Sequence, residues 1–197
     1  MSGIKQEIAA LKRQRILEAA VEVFYEQGYE KATLDDVARK LDVTKPFIYS
    51  YYNSKATLLA AICVRSIEES LRQIDAVLVA DLDPVGSLRL LGKLFTRVVL
   101  GNQRYMAIFA REEKNLNEAD FKRISDMRRE FDRKLNVLLQ RGMDDGVFNI
   151  PDRQIAALAI GGLVSWSYVW YRENQRLSAD KISDLMTDLI LNLVHTR

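Results

Sequence analysis

The chain has 197 residues, 48% apolar and 28% charged, with one Cys, one His and a formal net charge of +2. A single Cys excludes an internal disulfide and a cysteine-rich zinc site, and a single His excludes a two-histidine metal site. The small net charge leaves nucleic-acid binding to be decided by where the cations sit. His195 is close to the end of the sequence, so a Ser-His-Asp or Cys-His site would have to be built on that tail. No catalytic residue, metal or cofactor is expected. No run of eighteen apolar residues is present, and the N-terminal residues lack an apolar stretch of signal-peptide length. The expectation is a cytoplasmic protein with no membrane span.

Apolar residues recur at spacings of three and four, which predicts an all-α fold. About nine helices are predicted, over roughly 8–28, 34–41, 45–51, 54–80, 84–100, 103–113, 117–145, 151–174 and 178–195. The first carries Lys12, Arg13 and Arg15 near its start and stops at Gly28. Thr33 and Asp36 have the spacing of a capping box, in which hydroxyl and carboxylate satisfy each other's free amides. Leu34, Val37, Ala38 and Leu41 form one apolar face. Asp42 falls at a turn where a left-handed backbone is often needed, and Asp tolerates it better than most residues. Thr44 is placed to cap the next helix, and Pro46 lies in its first turn, where a missing amide costs little. Ile48 and Tyr52 face inward at spacing four. This is the grammar of a helix-turn-helix, with the second helix as the reader.

The outward residues of that helix suit DNA. Lys45 can reach a base edge or a phosphate, and Tyr49 offers a hydroxyl to a phosphate and a ring to a thymine methyl. Pro46 and Ser50 project beside them. Phe47 also points outward, a costly place for an aromatic unless something covers it. Lys55 begins the following helix, whose free amides favour a phosphate. From Val43 to Ala60 there are two Lys and no acid. The competing reading is a plain three-helix packing unit, because residues 1–60 hold nine Lys/Arg against eight Asp/Glu. Helices lengthen near residue 54, so the predicted domains are 1–53 and 54–197, joined through the helix that starts there.

Asp83-Pro84, Asn117 with Glu118 and Asp120, Pro151-Asp152 and Ser178 with Asp180 mark later helix starts. Gly101 and Gly146 mark stops. Phe95, Val98, Tyr105, Phe109, Phe131, Leu135, Trp166 and Trp170 are candidates to line an apolar ligand cavity, or are ordinary core. Trp166 and Trp170 are predicted to share a helix face. Ile155, Ala159, Gly162 and Leu163 mix small and branched residues. Leu185, Met186, Leu189 and Leu193 lie on the last helix's broad apolar face. Two such helices from each of two copies would form a four-helix interface, unless one chain buries them all. The cations Arg104, Arg111, Lys114, Lys122, Arg123, Arg128, Arg129 and Arg133 have acids at helical spacing and are expected to be salt-bridged. Gly86 to Gly92-Lys93 is not a phosphate loop: the spacing is wrong, Leu94 replaces Ser/Thr, and the pattern is helical.

The run Ile16-Leu17-Glu18-Ala19-Ala20, Phe24, Gly28-Tyr29, Ala32-Thr33-Leu34, Val37-Ala38, Val43-Thr44-Lys45, Ile48-Tyr49-Ser50-Tyr51-Tyr52 and Ser54-Lys55 resembles the TetR/AcrR family of transcriptional regulators. Asp42 stands where that family usually has Gly, Tyr52 where it usually has Phe, and Ser50 where His is frequent. The resemblance implies that Thr33 and Tyr49 contact phosphates, that Thr44, Lys45, Pro46 and Phe47 face the major groove, and that Lys55 anchors a phosphate. It further implies a homodimer on a pseudo-palindromic operator, paired through its last helices. An apolar effector would enter the helical body and relieve repression. Thr44-Lys45-Pro46-Phe47-Ile48-Tyr49 and Trp170-Tyr171-Arg172, with Leu177-Ser178 after it, resemble members that sense fatty-acyl or steroid-type acyl-CoA, whose phosphates some of the mid-chain cations would hold. The alternative is a helical binding protein or enzyme scaffold whose helix-turn-helix is architectural.

Overall fold

The computed structural model describes residues 2–173 and 176–194, and every regular element among them is helical. The helices are α1 (Ser2–Gln27), α2 (Leu34–Lys40), α3 (Lys45–Tyr49), α4 (Lys55–Val79), α5 (Pro84–Gly101), α6 (Gln103–Glu112), α7 (Glu118–Asp144), α8 (Arg153–Ser165), α9 (Ser167–Trp170) and α10 (Ala179–Val194). A 3-10 turn, Glu113–Asn115, follows α6. They form two compact units, residues 1–65 with 104–121 and residues 66–103 with 122–197. This division differs from the one expected at residue 53. The first turns of α4 and all but the first residue of α6 group with the N-terminal helices, and Arg104 and Arg111 of α6 both lie over the ring of Tyr25 in α1.

In the first unit, α1 begins earlier than the expected residue 8. Lys5, Gln6, Glu7, Ala9 and Ala10 all favour helix, so nothing stops propagation. Gly28 ends it with φ 79°. Ile16, Ala20 and Phe24 of α1 are buried with Val37, Ala38 and Ile48. The Thr33–Asp36 capping box is present in full, with Asp36 N–H donating to Thr33 Oγ1 at 3.2 Å and Thr33 N–H donating to Asp36 Oδ2 at 2.9 Å. Asp42 has φ 54°, the left-handed turn read from the sequence. Ser54 caps α4 by accepting from Thr57 N–H at 3.1 Å.

The second unit is built on α5 and α10, its most extensive helix pair. Asp83 caps α5 through Gly86 N–H. Arg89–Asp188, Lys93–Asp184 and Arg97–Asp180 form a ladder of ion pairs. One partner's numbers rise as the other's fall, so the helices are antiparallel. Gly92 permits their close approach: a Cβ there would stand 2.9 Å from Thr187 Oγ1 and 3.3 Å from Thr187 Cα. The Ser183 hydroxyl donates to the Lys93 carbonyl at 2.9 Å. The α4 segment of this unit is tied to α7 by Lys134–Asp75 and Arg123–Glu68.

The helix expected over 151–174 is shorter and broken. Asp152 caps α8 by accepting from Gln154 and Ile155 N–H. The helix is interrupted at Trp166 and ends at Trp170. The buried Ser167 hydroxyl donates to the Val164 carbonyl at 2.7 Å. Gln103 Nε2 donates to the carbonyls of Tyr168 and Tyr171, and Arg172 donates to those of Val169 and Tyr171. Side chains thus satisfy the end carbonyls that further helix would have occupied.

Candidate nucleic-acid interface

The reader helix α3 is short, so its outward surface is set by what surrounds it. Buried Ile48 anchors it, and the Tyr52 hydroxyl donates to the Arg13 carbonyl at 3.4 Å. Burial pushes the Tyr52 phenol above its ordinary pKa. Thr44, Pro46, Tyr49 and Ser50 are exposed together on this element and its flanks. Thr44 occupies the cap position but its side chain makes no cap hydrogen bond. The expected cap is therefore missing, and that hydroxyl is available to a ligand. Ser50 Oγ donates to the Phe47 carbonyl at 2.7 Å.

Phe47 is only half-buried. What covers it is Tyr51, with ring centroids 5.3 Å apart, and the Lys12 ammonium, 5.8 Å from the Phe47 centroid. Arg13 lies over the Tyr51 ring at 5.8 Å. These contacts bring two α1 cations to the reader helix, an arrangement the sequence pattern did not assign to the site. The spacing of more than thirty residues between them leaves no local signal.

Two expected phosphate contacts are otherwise engaged. Lys55 Nζ donates to the carbonyls of Tyr29 (2.6 Å), Glu30 (3.2 Å) and Ala32 (2.9 Å), and lies 4.3 Å from the Tyr29 ring centroid. Its three donors pin the α1–α2 connection to the start of α4, so it is a structural hub rather than a free anchor. The exposed Thr33 side chain serves the capping box, its hydroxyl donating to Asp36 Oδ2 at 2.6 Å. Lys45 is also partnered, by Asp35 Oδ2 at 2.7 Å, and that hydrogen bond raises its pKa.

A second surface lies on α8 and α10, which pack side by side. Ile155 (63% exposed), Leu158 (60%), Ala159 and Gly162 are exposed on α8, and Leu185, Leu189 and Leu193 on α10. Leu163 is half-buried. Met186 does not belong to this set: it is only 5% exposed, taken into the core of its own unit. Leu158 was missed by the sequence pattern, although it lies three residues from Ile155 on the same helical face.

A model of "Bacterial regulatory proteins, tetR family" matches residues 16–62, and one of "Tetracyclin repressor-like, C-terminal domain" matches residues 81–194. The chain belongs to the tetR family. The regulator SrpR of Pseudomonas putida is 38% identical over 99 residues, 45% of this chain and 45% of that one. The chain thus spans about half the length of such curated relatives. The structure of PfmR from Thermus thermophilus superposes with a TM-score of 0.83, covering 92% of this chain and all of that one at 26% identity. AibR, solved with isovaleryl coenzyme A and operator DNA, shares the fold with a TM-score of 0.78 at 22% identity, covering 93% of this chain and all of that one.

Both family models, and the curated relatives that the chain matches, describe bacterial transcriptional regulators. Among the described residues, no helix is long and apolar enough to cross a membrane, and no cluster of His, Cys, Asp or Glu could hold a metal. His195 lies outside the described residues. Of the residues expected to line a cavity, Phe95, Val98, Phe131 and Leu135 are buried in the second unit, with the Phe95 and Phe131 rings 4.8 Å apart. Tyr105 and Phe109 belong to the first unit instead. Trp166 is 63% exposed and Trp170 46%, so neither is the buried lining expected of it. The break at Trp166 also ends their shared helix face, because the α-helical repeat is interrupted between them.

Of the mid-chain cations, Lys122 and Arg129 pair with Asp126 at the helical spacing expected, whereas Arg123 reaches across to Glu68 of α4 and Arg104 and Arg111 lie over the Tyr25 ring. Arg133 instead lines an open cleft of about 490 Å³ with Arg141 and Arg153. Arg153 is held there by the amide oxygens of Asn136 and Gln140.

Proposed function

We propose that this regulator is a homodimeric repressor that reads a pseudo-palindromic operator and is released by an apolar effector. The observation that carries the reading is the α3 surface. Thr44, Pro46, Tyr49 and Ser50 are exposed together, flanked by Lys12 and Arg13, on a helix-turn-helix whose segment matches the tetR-family model. In this reading residues 1–53 are the DNA-binding domain. Thr44, Lys45, Pro46 and Phe47 face the major groove, Tyr49 and Ser50 meet its edge and the phosphates, and Thr33 meets a phosphate when its hydroxyl turns away from Asp36. Residues 54–197 dimerise and hold the effector.

Dimerisation rests on the exposed apolar surface of α8 and α10. One five-residue reader helix covers few base pairs, and a two-fold partner supplies the second half-site about a helical turn away or further. The effector is assigned to the apolar core around Phe95, Val98, Phe131 and Leu135. AibR's complex with isovaleryl coenzyme A supports an acyl-CoA as the class to test first. The effector acts by binding better to a state in which the two reader helices are wrongly spaced. Such a protein works in the cytoplasm, where its operator is.

The test is the double variant Lys45→Ala, Tyr49→Ala. It should stay folded and dimeric while operator binding falls by at least about tenfold, the lower range for a lost base contact. Undiminished binding would remove α3 as the reader.

A further inference from the structure

The cations of the helix-turn-helix are not free. Arg39 pairs with Asp36 at 2.9 Å, Lys40 with Glu22 at 2.6 Å, and Lys45 with Asp35 at 2.7 Å. The first two pairs hold α2 to itself and to α1. The third joins the first turn of α2 to the first residue of α3, and both side chains are about half exposed. A protein that relied on α3 for phosphate attraction would gain nothing from a carboxylate at this place. Asp35 cancels the only charge on the reader helix.

The pair has a second consequence. A lysine ammonium has three donors on a flexible stem. One donor goes to Asp35, which fixes the end of the side chain before DNA arrives. The other two remain for acceptors in front of the helix, such as the O6 and N7 of a guanine. Neutralisation and ordering act in opposite directions on two kinds of DNA. Non-specific binding comes almost wholly from phosphate neutralisation and counterion release, so a cancelled charge weakens it. Reading a base edge depends on geometry, so a held ammonium helps it.

We propose that Asp35 is a specificity-determining residue, which turns Lys45 from a phosphate clamp into a base-edge reader. This inference rests on the DNA-reading function above and deepens it. Asp35 touches no base in the mechanism; it acts through Lys45 and is a positioning residue. The device is a form of selection against wrong partners, since it lowers affinity for sequences that offer only phosphates.

The experiment compares the wild-type dimer with Asp35→Asn on two duplexes of equal length. One is selected from a random pool by the wild-type protein, and the other is of random sequence. Binding is followed by fluorescence anisotropy across a series of salt concentrations. Asp35→Asn should bind the random duplex several-fold more tightly, with the slope of log affinity against log salt steeper by about one per protomer. The selected duplex should gain little or lose, so the ratio of the two affinities should fall by roughly tenfold. Glu30→Gln removes one charge from the same unit without touching Lys45, and it should leave the ratio unchanged. Equal gains on both duplexes, or the same fall in ratio with Glu30→Gln, would make Asp35 a bystander charge and overturn the assignment. If the wild type itself showed no preference for the selected duplex, the DNA-reading function would fail, and this inference with it.

Discussion

Lys55 shows how a residue read as a phosphate anchor can have a different task. A surface ammonium awaiting DNA would be hydrated, whereas this one donates to three carbonyls of the α1–α2 connection. Lys55→Met keeps most of the stem and leaves those carbonyls short of donors. It is expected to lower the unfolding free energy by at least about 2 kcal/mol, since hydrogen bonds from a charged donor are the stronger kind. A melt of the variant decides between the roles: unchanged stability with weakened DNA binding would restore the phosphate anchor. Asp132 makes a pH test. Burial holds its carboxyl above the ordinary value, with Arg128 opposing. Between the ordinary and the raised value, the unfolded chain releases a proton that the folded chain keeps. Stability is therefore lost as pH rises through that window, and the penalty is full above it. Asp132→Asn should raise the melting temperature at pH 7, and the gain should shrink as pH falls into the ordinary carboxyl range. A gain independent of pH would point to packing instead.

At the scale of elements, most helix starts and ends lie within two residues of where the sequence placed them, apart from the start of α1 and the interruption of the helix predicted over 151–174. Thr33, Ser54, Asp83, Asn117, Asp152 and Ser178 all accept from amides in the first turn of the helices they precede. These are local bonds, so a local pattern reveals them. The early end at Trp170 was invisible because Gln103, more than sixty residues away, supplies the donors to the Tyr168 and Tyr171 carbonyls. The α3 surface was legible in kind but not in partners: Ile48 and the left-handed Asp42 follow from local spacing, while the Lys45–Asp35 and Lys12–Phe47 contacts depend on how three helices pack. Close packing gives its own test. A Cβ on Gly142 would meet the Phe148 ring at 2.0 Å, where the turn after α7 folds back. Gly142→Ala must push that buried ring aside and is expected to cost about 1–3 kcal/mol by denaturant melt. A cost near zero would mean that the ring has room to move.

At the scale of the whole molecule, the proposed dimer decides how much DNA is read. The apolar residues left exposed on α8 and α10 are more numerous than scattered surface leucines require, and they lie on two neighbouring helices. Leu158→Glu with Leu189→Glu places charges in that face without disturbing the buried side of either helix. The variant should run as a monomer in sedimentation and lose tight operator binding, while its helical signal stays intact. A dimer that survives both charges would place the interface elsewhere. Trp166, 63% exposed at the end of α8, then serves as a reporter: its emission should shift to the red when the dimer is broken.

The most direct measurement is binding of the purified protein to labelled DNA from upstream of its own gene and to duplexes it selects from a random pool. Both are titrated at two salt concentrations against an excess of random competitor, with the stoichiometry of the complex recorded. A sequence-specific dimeric regulator gives a complex that survives the competitor and holds two protomers per site. A complex that disappears into the competitor for every duplex, at low salt as well as high, would mean phosphate attraction alone and would contradict the account.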